Sequence, residues 1–230
     1  MNQIQTRAII LSRTDYGEAD RIITVLTPEQ GKLSLMARGV RRVKSKLAGG
    51  IELFSVAEIS YMKGRGQIDT LTSARLVHYY ASIVQDIDRV QLGYELIKLL
   101  HRGTEDQPEA EYFELLEAAF IALDTAAITT DLIRIWFQAQ LLRYAGHSPN
   151  LKTDTSGNKL TAGQRYSFDF ETVAFMIHPE GHFSSDHIKF LRLIFNGNSP
   201  QILSHISGLN DLLPDCLPLV HTMLQTYIRI

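Results

Sequence analysis

The spacing of apolar residues changes near residue 80, and this change constrains the fold of the chain more than any other feature. Before it lie five short stretches with strand character, at 7–13, 21–27, 32–38, 51–62 and 67–77. In the third stretch, Leu33, Leu35 and Ala37 alternate with Lys32, Ser34 and Met36, and a period of two predicts a half-buried strand. The turn residues at 28–31 predict a hairpin between the second and third strands. Five short strands in so few residues predict a small closed barrel of the OB type.

After residue 80 the apolar residues follow a helical period. Segments 90–100, 109–123, 187–195 and 217–228 each predict a helix. Segment 131–146 is apolar nearly all round, so we expect a buried central helix there. Thr130 or Asp131 is expected to cap its start and Gly146 to end it, and Ser184 or Ser185 is expected to begin the helix at 187–195.

The segment between two of these helices is rich in turn-forming residues. Residues 147–170 contain many Ser, Thr, Gly, Asn and Pro, which predicts an irregular insert with a short hairpin near 164–177. The expected fold class is therefore α+β. An OB-fold nucleic-acid-binding domain takes residues 1–80, and an α-helical domain with an irregular insert at about 147–180 takes residues 81–230.

Composition limits the cellular compartments in which we expect the protein. The longest apolar run, at 118–123, has six residues, far below the roughly 20 that a membrane helix needs. Cys216 is the only cysteine, so an intrachain disulfide is excluded and a reducing compartment is favoured. We expect a cytoplasmic protein that does not enter a membrane.

The stretch ARGVRRVKSKLAGG, at 37–50, is the strongest candidate for a binding site. It contains no acidic residue, and its five cations are Arg38, Arg41, Arg42, Lys44 and Lys46. Residues 1–80 hold 12 Lys and Arg against 7 Asp and Glu, whereas residues 81–230 hold 11 against 18. Such a positive stretch suits the phosphates of single-stranded nucleic acid, with salt-dependent affinity for any sequence. The simpler alternative is a solvated loop.

Weaker candidates extend this site. Lys63 and Arg65, in the KGRG stretch at 63–66, support the same surface, although a glycine hairpin turn explains them when they are taken alone. Among the rings of residues 1–80, Phe54 and Tyr61 are predicted to be core, and no ring is assigned as a stacking platform for bases. The acidic helical part is better suited to binding proteins. Arg134 and Arg143, which flank Trp136, are candidate cations for an acidic partner, with pairing to local carboxylates as the alternative.

The histidines do not predict a metal site or a catalytic centre. His178 and His182 are four residues apart, but Pro179 and Gly181 oppose the helix that would bring them together, so a turn with exposed histidines is expected. The serines near His187 are better explained as helix caps than as nucleophiles. We therefore expect no catalytic residue, no metal ligand and no cofactor.

At this point the chain resembles the bacterial RecO family of recombination mediators. The resemblance is carried by GEADR before a strand, GK before the third strand, ARGVRR followed by KSK, GG before a strand and GRG before the last strand. Further on, FQAQLLRYAGHSPNL at 137–151 is similar to the segment that precedes the zinc-ribbon-like insert of the family.

The resemblance implies an OB fold followed by an α-helical domain, and a protein that is not an enzyme. It implies binding of single- and double-stranded DNA and annealing of complementary strands. It also implies partnership with RecR and with the C-terminal tail of the single-stranded DNA-binding protein, which together help to load RecA.

The chain departs from the family pattern in the insert. Where many members have a first cysteine pair, this chain has Asp154 and Gly157, so the insert is expected to be a degenerate zinc-ribbon that is held by its own packing. Two other functions stay open. One is an OB-fold RNA-binding or ribosome-associated adaptor, and the other is a metal-dependent hydrolase that uses the region of His178 to His187.

Overall fold

The computed structural model describes residues 3–64, 66–103 and 110–228, with residues 102 and 103 described by their backbone alone. The chain forms two compact units, Met1–Thr125 and Ala126–Ile230. None of the helices in the described residues is both long enough and apolar enough to cross a membrane.

The first unit is built on a closed barrel. Its strands are β1 (Gln3–Tyr16), β2 (Asp20–Thr27), β3 (Gly31–Ala37), β4 (Ser55–Met62) and β5 (Asp69–Tyr79). They close in the order β1-β2-β3-β5-β4, with β3 and β5 parallel and the other neighbours antiparallel. The five-stranded barrel of the OB type and the hairpin between the second and third strands are thus confirmed.

Alternation along the strands fills the barrel. Leu35 and Ala37 are fully buried in its core with Ile23 and Val25 of β2, as the period of two predicts. The strand expected at 51–62 begins only at Ser55, because Phe54 has a φ of 55° and its left-handed backbone interrupts the extended chain. Phe54 and Tyr61 are buried, as predicted.

Two helices, α1 (Ile87–Gly103) and α2 (Ala110–Leu123), belong to the same unit as the barrel. Phe54 lies at their junction, with its ring centroid 5.3 Å from that of Tyr94 on α1 and 5.6 Å from that of Phe120 on α2. Aromatic pairs in edge-to-face geometry hold such junctions together. The predicted boundary near residue 80, which marks the end of the barrel sequence, stays a prediction.

The second unit is organised around the helix expected to be central. Helix α3 (Thr130–Tyr144) has ten buried residues and packs with α4 (Ser185–Phe195), α5 (Pro200–Leu203) and α6 (Leu209–Tyr227). The cap of α3 is Thr129, whose hydroxyl accepts the Leu132 N–H, so the expected caps at Thr130 and Asp131 were wrong by one or two residues. Ser184 caps α4 as predicted.

Two further predictions concern where α3 ends and where the last helix begins. Gly146, with a φ of 79°, follows the end of α3 as predicted. The last helix begins at Leu209 rather than near 217, because the α-helix continues through Pro214 and Pro218.

The insert is an ordered small sheet rather than an irregular segment. Strands β6 (Asn150–Asp154), β7 (Tyr166–Asp169) and β8 (Ala174–Ile177) lie in the order β6-β8-β7. The antiparallel pair of β7 and β8 confirms the hairpin expected near 164–177. The irregular insert was the wrong expectation, because the turn residues separate short strands.

Candidate nucleic-acid interface

The cationic loop, residues 38–47, leaves the barrel where β3 ends and is held by hydrogen bonds that its backbone N–H groups donate. Gly39 donates its N–H to Oδ1 of Asp20 at 2.7 Å, and Arg41 donates its N–H to the Ala19 carbonyl at 2.9 Å. Inside the loop, Arg42 N–H donates to the Gly39 carbonyl at 3.1 Å. Gly39 has a φ of 64°, which glycine adopts without steric penalty. The loop is therefore anchored to the turn between β1 and β2.

All five cations of the loop are exposed. In the part of the chain that the structure describes, no carboxylate pairs with Arg38, Arg42, Lys44 or Lys46, whereas Arg41 lies near Asp15. The structure thus brings the five residues together in one loop and leaves four of their charges available to a polyanion.

Asp15 is the acidic group next to the loop. Its Oδ1 accepts a hydrogen bond of 2.8 Å from Nε of Arg21, and its Oδ2 lies 3.6 Å from Nη1 of Arg41. The hydrogen bond from Arg21, helped by the charge of Arg41, holds the pKa of the Asp15 carboxyl below its usual range. Asp15 therefore stays ionised at neutral pH and binds Arg41 to the end of β1.

The turn between β4 and β5 lies near β3, but towards the opposite end of that strand from the cationic loop. Lys63 is exposed there, and Arg65 lies outside the described residues. Gln67 of this turn lines a groove with Lys32 and Ser34 of β3, whereas the cationic loop follows the other end of β3. Ser34, beside this groove, and Arg38, at the start of the loop, are four residues apart, which is about 13 Å along a strand. The role predicted for Lys63 and Arg65 in DNA binding stays a prediction.

The three arginines on β1 and β2 are each engaged by a carboxylate. Arg7 pairs with Glu117 of α2, Arg13 pairs with Glu52 at 2.8 Å, and Arg21 pairs with Asp15. These ion pairs distinguish the strand arginines from the four cations of the loop that have no carboxylate partner among the described residues.

The acidic excess of residues 81–230 is concentrated in the first part of that range. Residues 81–125 hold 3 Lys and Arg against 10 Asp and Glu, whereas residues 126–230 hold 8 of each kind. The acidic excess therefore lies on the α1–α2 segment, in the unit of the barrel, and the second unit is neutral.

The two partner-binding candidates lie near opposite ends of α3. Arg134 forms an ion pair of 3.0 Å with Asp131, as the alternative of local pairing expected. Arg143 is half-buried, its guanidinium carbon lies 4.9 Å from the ring centroid of Tyr144, and no carboxylate among the described residues pairs with it. The role of both residues in partner binding stays a prediction.

The histidine-containing stretch is a turn. Gly181 N–H donates to the His178 carbonyl at 2.9 Å, and His178 and His182 are both exposed. His187 belongs to the cap of α4, where its Nδ1 accepts the Ser184 N–H at 3.2 Å. No group of three or more His, Cys, Asp or Glu side chains within the described residues has the arrangement of a metal site.

In the insert, Asp154 organises the turn where the family pattern has a cysteine. Its Oδ1 accepts the N–H groups of Ser156 at 2.9 Å and of Asn158 at 2.8 Å. The rings of Phe168 and Phe183 pack on Phe175, with centroids 5.1 and 5.4 Å away. The zinc-ribbon character expected for the insert is not confirmed, and this turn and aromatic core account for its order.

Sequence reasoning missed the residues that hold the cationic loop. Asp15, Ala19 and Asp20 lie beside it, and none of them was singled out. The signal was present in the GEADR motif, which supplies Ala19 and Asp20, but a motif does not show which distant segment it contacts.

The strand order and the cationic loop define the class of the protein: an OB-fold protein with a cationic loop on its barrel. Two family models match the chain. The model described as "Recombination protein O N terminal" matches residues 1–80, and the model described as "Recombination protein O C terminal" matches residues 84–229. The chain belongs to the recombination protein O (RecO) family.

Curated relatives named "DNA repair protein RecO" agree with this membership. The protein of Dehalococcoides mccartyi is 33% identical over 152 residues, which are 66% of this chain and 59% of the relative. That of Heliobacterium modesticaldum is 32% identical over 66% of this chain and 54% of the relative. That of Halalkalibacterium halodurans is 32% identical over 64% of this chain and 58% of the relative. The match thus spans somewhat more than half the length of these relatives.

Proposed function

We propose that this chain is a recombination mediator in DNA repair. It binds single- and double-stranded DNA through backbone phosphates, anneals complementary strands and helps to load a recombinase on coated single strands. The observation that carries the proposal is the cationic loop, with four exposed cations unpaired among the described residues, on the barrel of a RecO family member. The repair role is supported by the name of the curated relatives.

The chemistry of the loop favours phosphate contact over base reading. Lys and Arg that neutralise phosphates release counterions, so the affinity is independent of base sequence and falls with salt. The same contacts favour annealing, since cations reduce the repulsion between two strands while their bases stay free to pair. A mediator of this kind needs neither a catalytic residue nor a cofactor.

The partners follow from the family resemblance. RecR, the C-terminal tail of the single-stranded DNA-binding protein and the RecA pathway are the proposed partners, in the cytoplasm. Arg134 and Arg143 are the proposed cations for an acidic tail.

Salt-dependent binding tests the DNA contact. The double variant Arg38→Ala, Arg42→Ala should bind an oligonucleotide more weakly at every sequence. Its plot of log affinity against log salt should be flatter by about 0.7 for each phosphate that it no longer neutralises on a single strand, and by about 0.9 on a duplex. Lys44→Ala and Lys98→Ala form a matched pair, because both lysines are exposed and Lys98 lies on the acidic α1.

The expected result is a flatter slope for Lys44→Ala and an unchanged slope for Lys98→Ala. An unchanged slope in the folded double variant would contradict phosphate contact by the loop. Competition between single-stranded DNA and RNA of equal length distinguishes the DNA role from an RNA-binding adaptor, which would prefer RNA.

Strand annealing tests the mediator role. Complementary strands that carry the cognate single-stranded DNA-binding protein should anneal faster in the presence of this chain. Removal of the terminal tail from the coating protein should abolish this increase in annealing rate. Arg134→Ala and Arg143→Ala should reduce the increase on DNA coated with the intact protein and leave the annealing of bare DNA unchanged. Equal annealing with and without the tail would contradict tail recognition.

A further inference from the structure

An exposed aromatic ring lies beside the cationic loop. Tyr16 is the last residue of β1, and 55% of its surface is exposed. It faces Asp20 across the β1–β2 pair, and Asp20 in turn accepts the N–H of Gly39 at the start of the loop. In the described part of the chain, the Tyr16 ring has no aromatic, cation–π or hydrogen-bond partner.

Alternation places this ring on the outer face of the sheet. Ile23 and Val25 of β2 point into the barrel core, so Asp20 and Ile22 point outward, and Tyr16 shares their side as the register partner of Asp20. Ile22 is the diagonal neighbour of Tyr16, at a spacing of about 7 Å that an aromatic side chain bridges.

A small apolar surface continues from Tyr16 along this face. Met36 of β3 lies directly opposite Ile22 of β2, and both side chains are half-buried. In the same register, Ala37 lies opposite Arg21. Continuing that register by one residue puts Arg38 beside Asp20. Tyr16 lies on the other side of Asp20, so the backbones of Arg38 and Tyr16 are two strand spacings apart, or about 10 Å. A ring and two apolar side chains thus lie on neighbouring strands, and an arginine without a carboxylate partner among the described residues follows directly after the third strand.

The outer face of strands 2 and 3 is where OB folds bind oligonucleotides. Proteins that bind single strands combine a positive groove for the backbone with an aromatic ring for the bases. Two acidic residues lie near the ring. Asp20 accepts a hydrogen bond of 2.7 Å from Gly39, and Glu18 is exposed in the turn between β1 and β2.

We propose that the ring of Tyr16, with Ile22 and Met36 beside it, is the platform on which an unpaired base stacks while the cationic loop holds the neighbouring phosphates. This inference rests on the proposed DNA-binding function and adds a preference for unpaired strands. A duplex keeps its bases stacked on one another, so it uses the loop and leaves the ring unused.

The test compares Tyr16→Ala, Tyr16→Phe and the control Tyr79→Ala on a single-stranded oligonucleotide and on a duplex of equal length. Tyr79 is also exposed, but it lies on β5, which is not a neighbour of β1 or β2 in the barrel. Tyr16→Ala should weaken single-strand binding by about 5- to 150-fold, the range for one stacked base, and leave duplex binding unchanged. Tyr16→Phe and Tyr79→Ala should bind both as the parent chain does.

A strand with abasic sites supplies a second measurement, whose main comparison uses the parent chain alone. The parent chain should bind the abasic strand more weakly than the intact strand by a similar factor. Tyr16→Ala, where it folds, should bind the two strands equally. Single-strand binding unchanged by Tyr16→Ala, or an equal loss on the duplex, would overturn the platform. If the parent chain binds neither DNA, the proposed function itself fails, which separates the two outcomes.

Discussion

Nη1 of Arg41 lies 3.6 Å from Oδ2 of Asp15, and the other oxygen of that carboxylate accepts a hydrogen bond from Arg21. Arg41 therefore differs from the other cations of the loop. Its backbone N–H also binds the turn between β1 and β2, through the Ala19 carbonyl. We infer that Arg41 mainly holds the loop in place, and that Arg38, Arg42, Lys44 and Lys46 meet the phosphates.

Asp15→Asn should strengthen DNA binding. The substitution removes the charge that neutralises Arg41 and Arg21, so Arg41 becomes available to one more phosphate. The slope of log affinity against log salt should steepen by about 0.7 on a single strand. Glu18→Gln, a neighbouring exposed acid, is the control for net charge alone and should have the smaller effect. Weaker binding by Asp15→Asn would show instead that Asp15 positions Arg41 for contact.

Gly50→Ala should destabilise the barrel, whereas Gly49→Ala should not. A Cβ on Gly50 would lie 2.5 Å from the backbone carbon and oxygen of Ala74, which a side-chain rotation cannot relieve, and a Cβ on Gly49 would meet open space. Overpacking of this kind costs about 1–3 kcal/mol, and surface substitutions change stability by less than about 0.5 kcal/mol. Urea unfolding of the two variants measures the difference, and equal midpoints would contradict the close approach.

Asp154→Ala should destabilise the insert, and chelators should leave its stability unchanged. The substitution removes the acceptor of two backbone N–H groups at a residue that is only 6% exposed. Leaving such donors unsatisfied costs about 1–3 kcal/mol. Asp154→Asn, which keeps an acceptor oxygen, should lose less. Thermal unfolding with and without EDTA tests both points, and a lower Tm in EDTA would show that a metal holds the insert.

Alkaline pH should destabilise the first unit through Tyr80. Burial, with a smaller contribution from the charge of Glu117, raises the pKa of Tyr80 from 10.0 to about 12. Between these two values the unfolded chain releases a proton that the folded chain keeps, so the free energy of unfolding falls as pH rises through this window and is fully retained below it. The loss due to Tyr80 approaches about 2–3 kcal/mol.

Tyr80→Phe is the variant that isolates this loss, since it keeps the ring contact with Phe120. Urea unfolding at pH 9 and pH 11.5 should show a smaller difference for Tyr80→Phe than for the parent chain. Tyr79→Phe, at the exposed neighbouring position, should behave as the parent chain does. An equal difference in all three proteins would exclude Tyr80 as the source.

Regular patterns in the sequence predicted regular structure. The alternation at 32–38 corresponds to a strand whose Leu35 and Ala37 are buried, and the apolar segment at 131–146 corresponds to the buried helix α3. The turn at 178–182 and the cap at Ser184 were likewise predicted, because proline, glycine and serine act through their own backbone neighbourhood.

Several features that depend on contacts between distant segments were not predicted. The sheet of the insert pairs β6 with β8, although about 20 residues separate them along the chain. The platform proposed at Tyr16 was missed for the same reason, since its neighbours Ile22, Met36 and Arg38 lie on other strands or beyond them. A ring in the sequence does not show which side chains surround it.

The sequence by itself determined that a barrel with a cationic loop precedes a set of helices, because apolar period and local charge are properties of neighbouring residues. Only the tertiary structure decided that Arg41 is engaged by Asp15, that the acidic helices belong to the barrel's unit, and that hydrogen bonds to Asp154 order the insert. Each of these depends on which residues the folded backbone brings within a few ångströms, and the order of residues along the chain does not specify that distance.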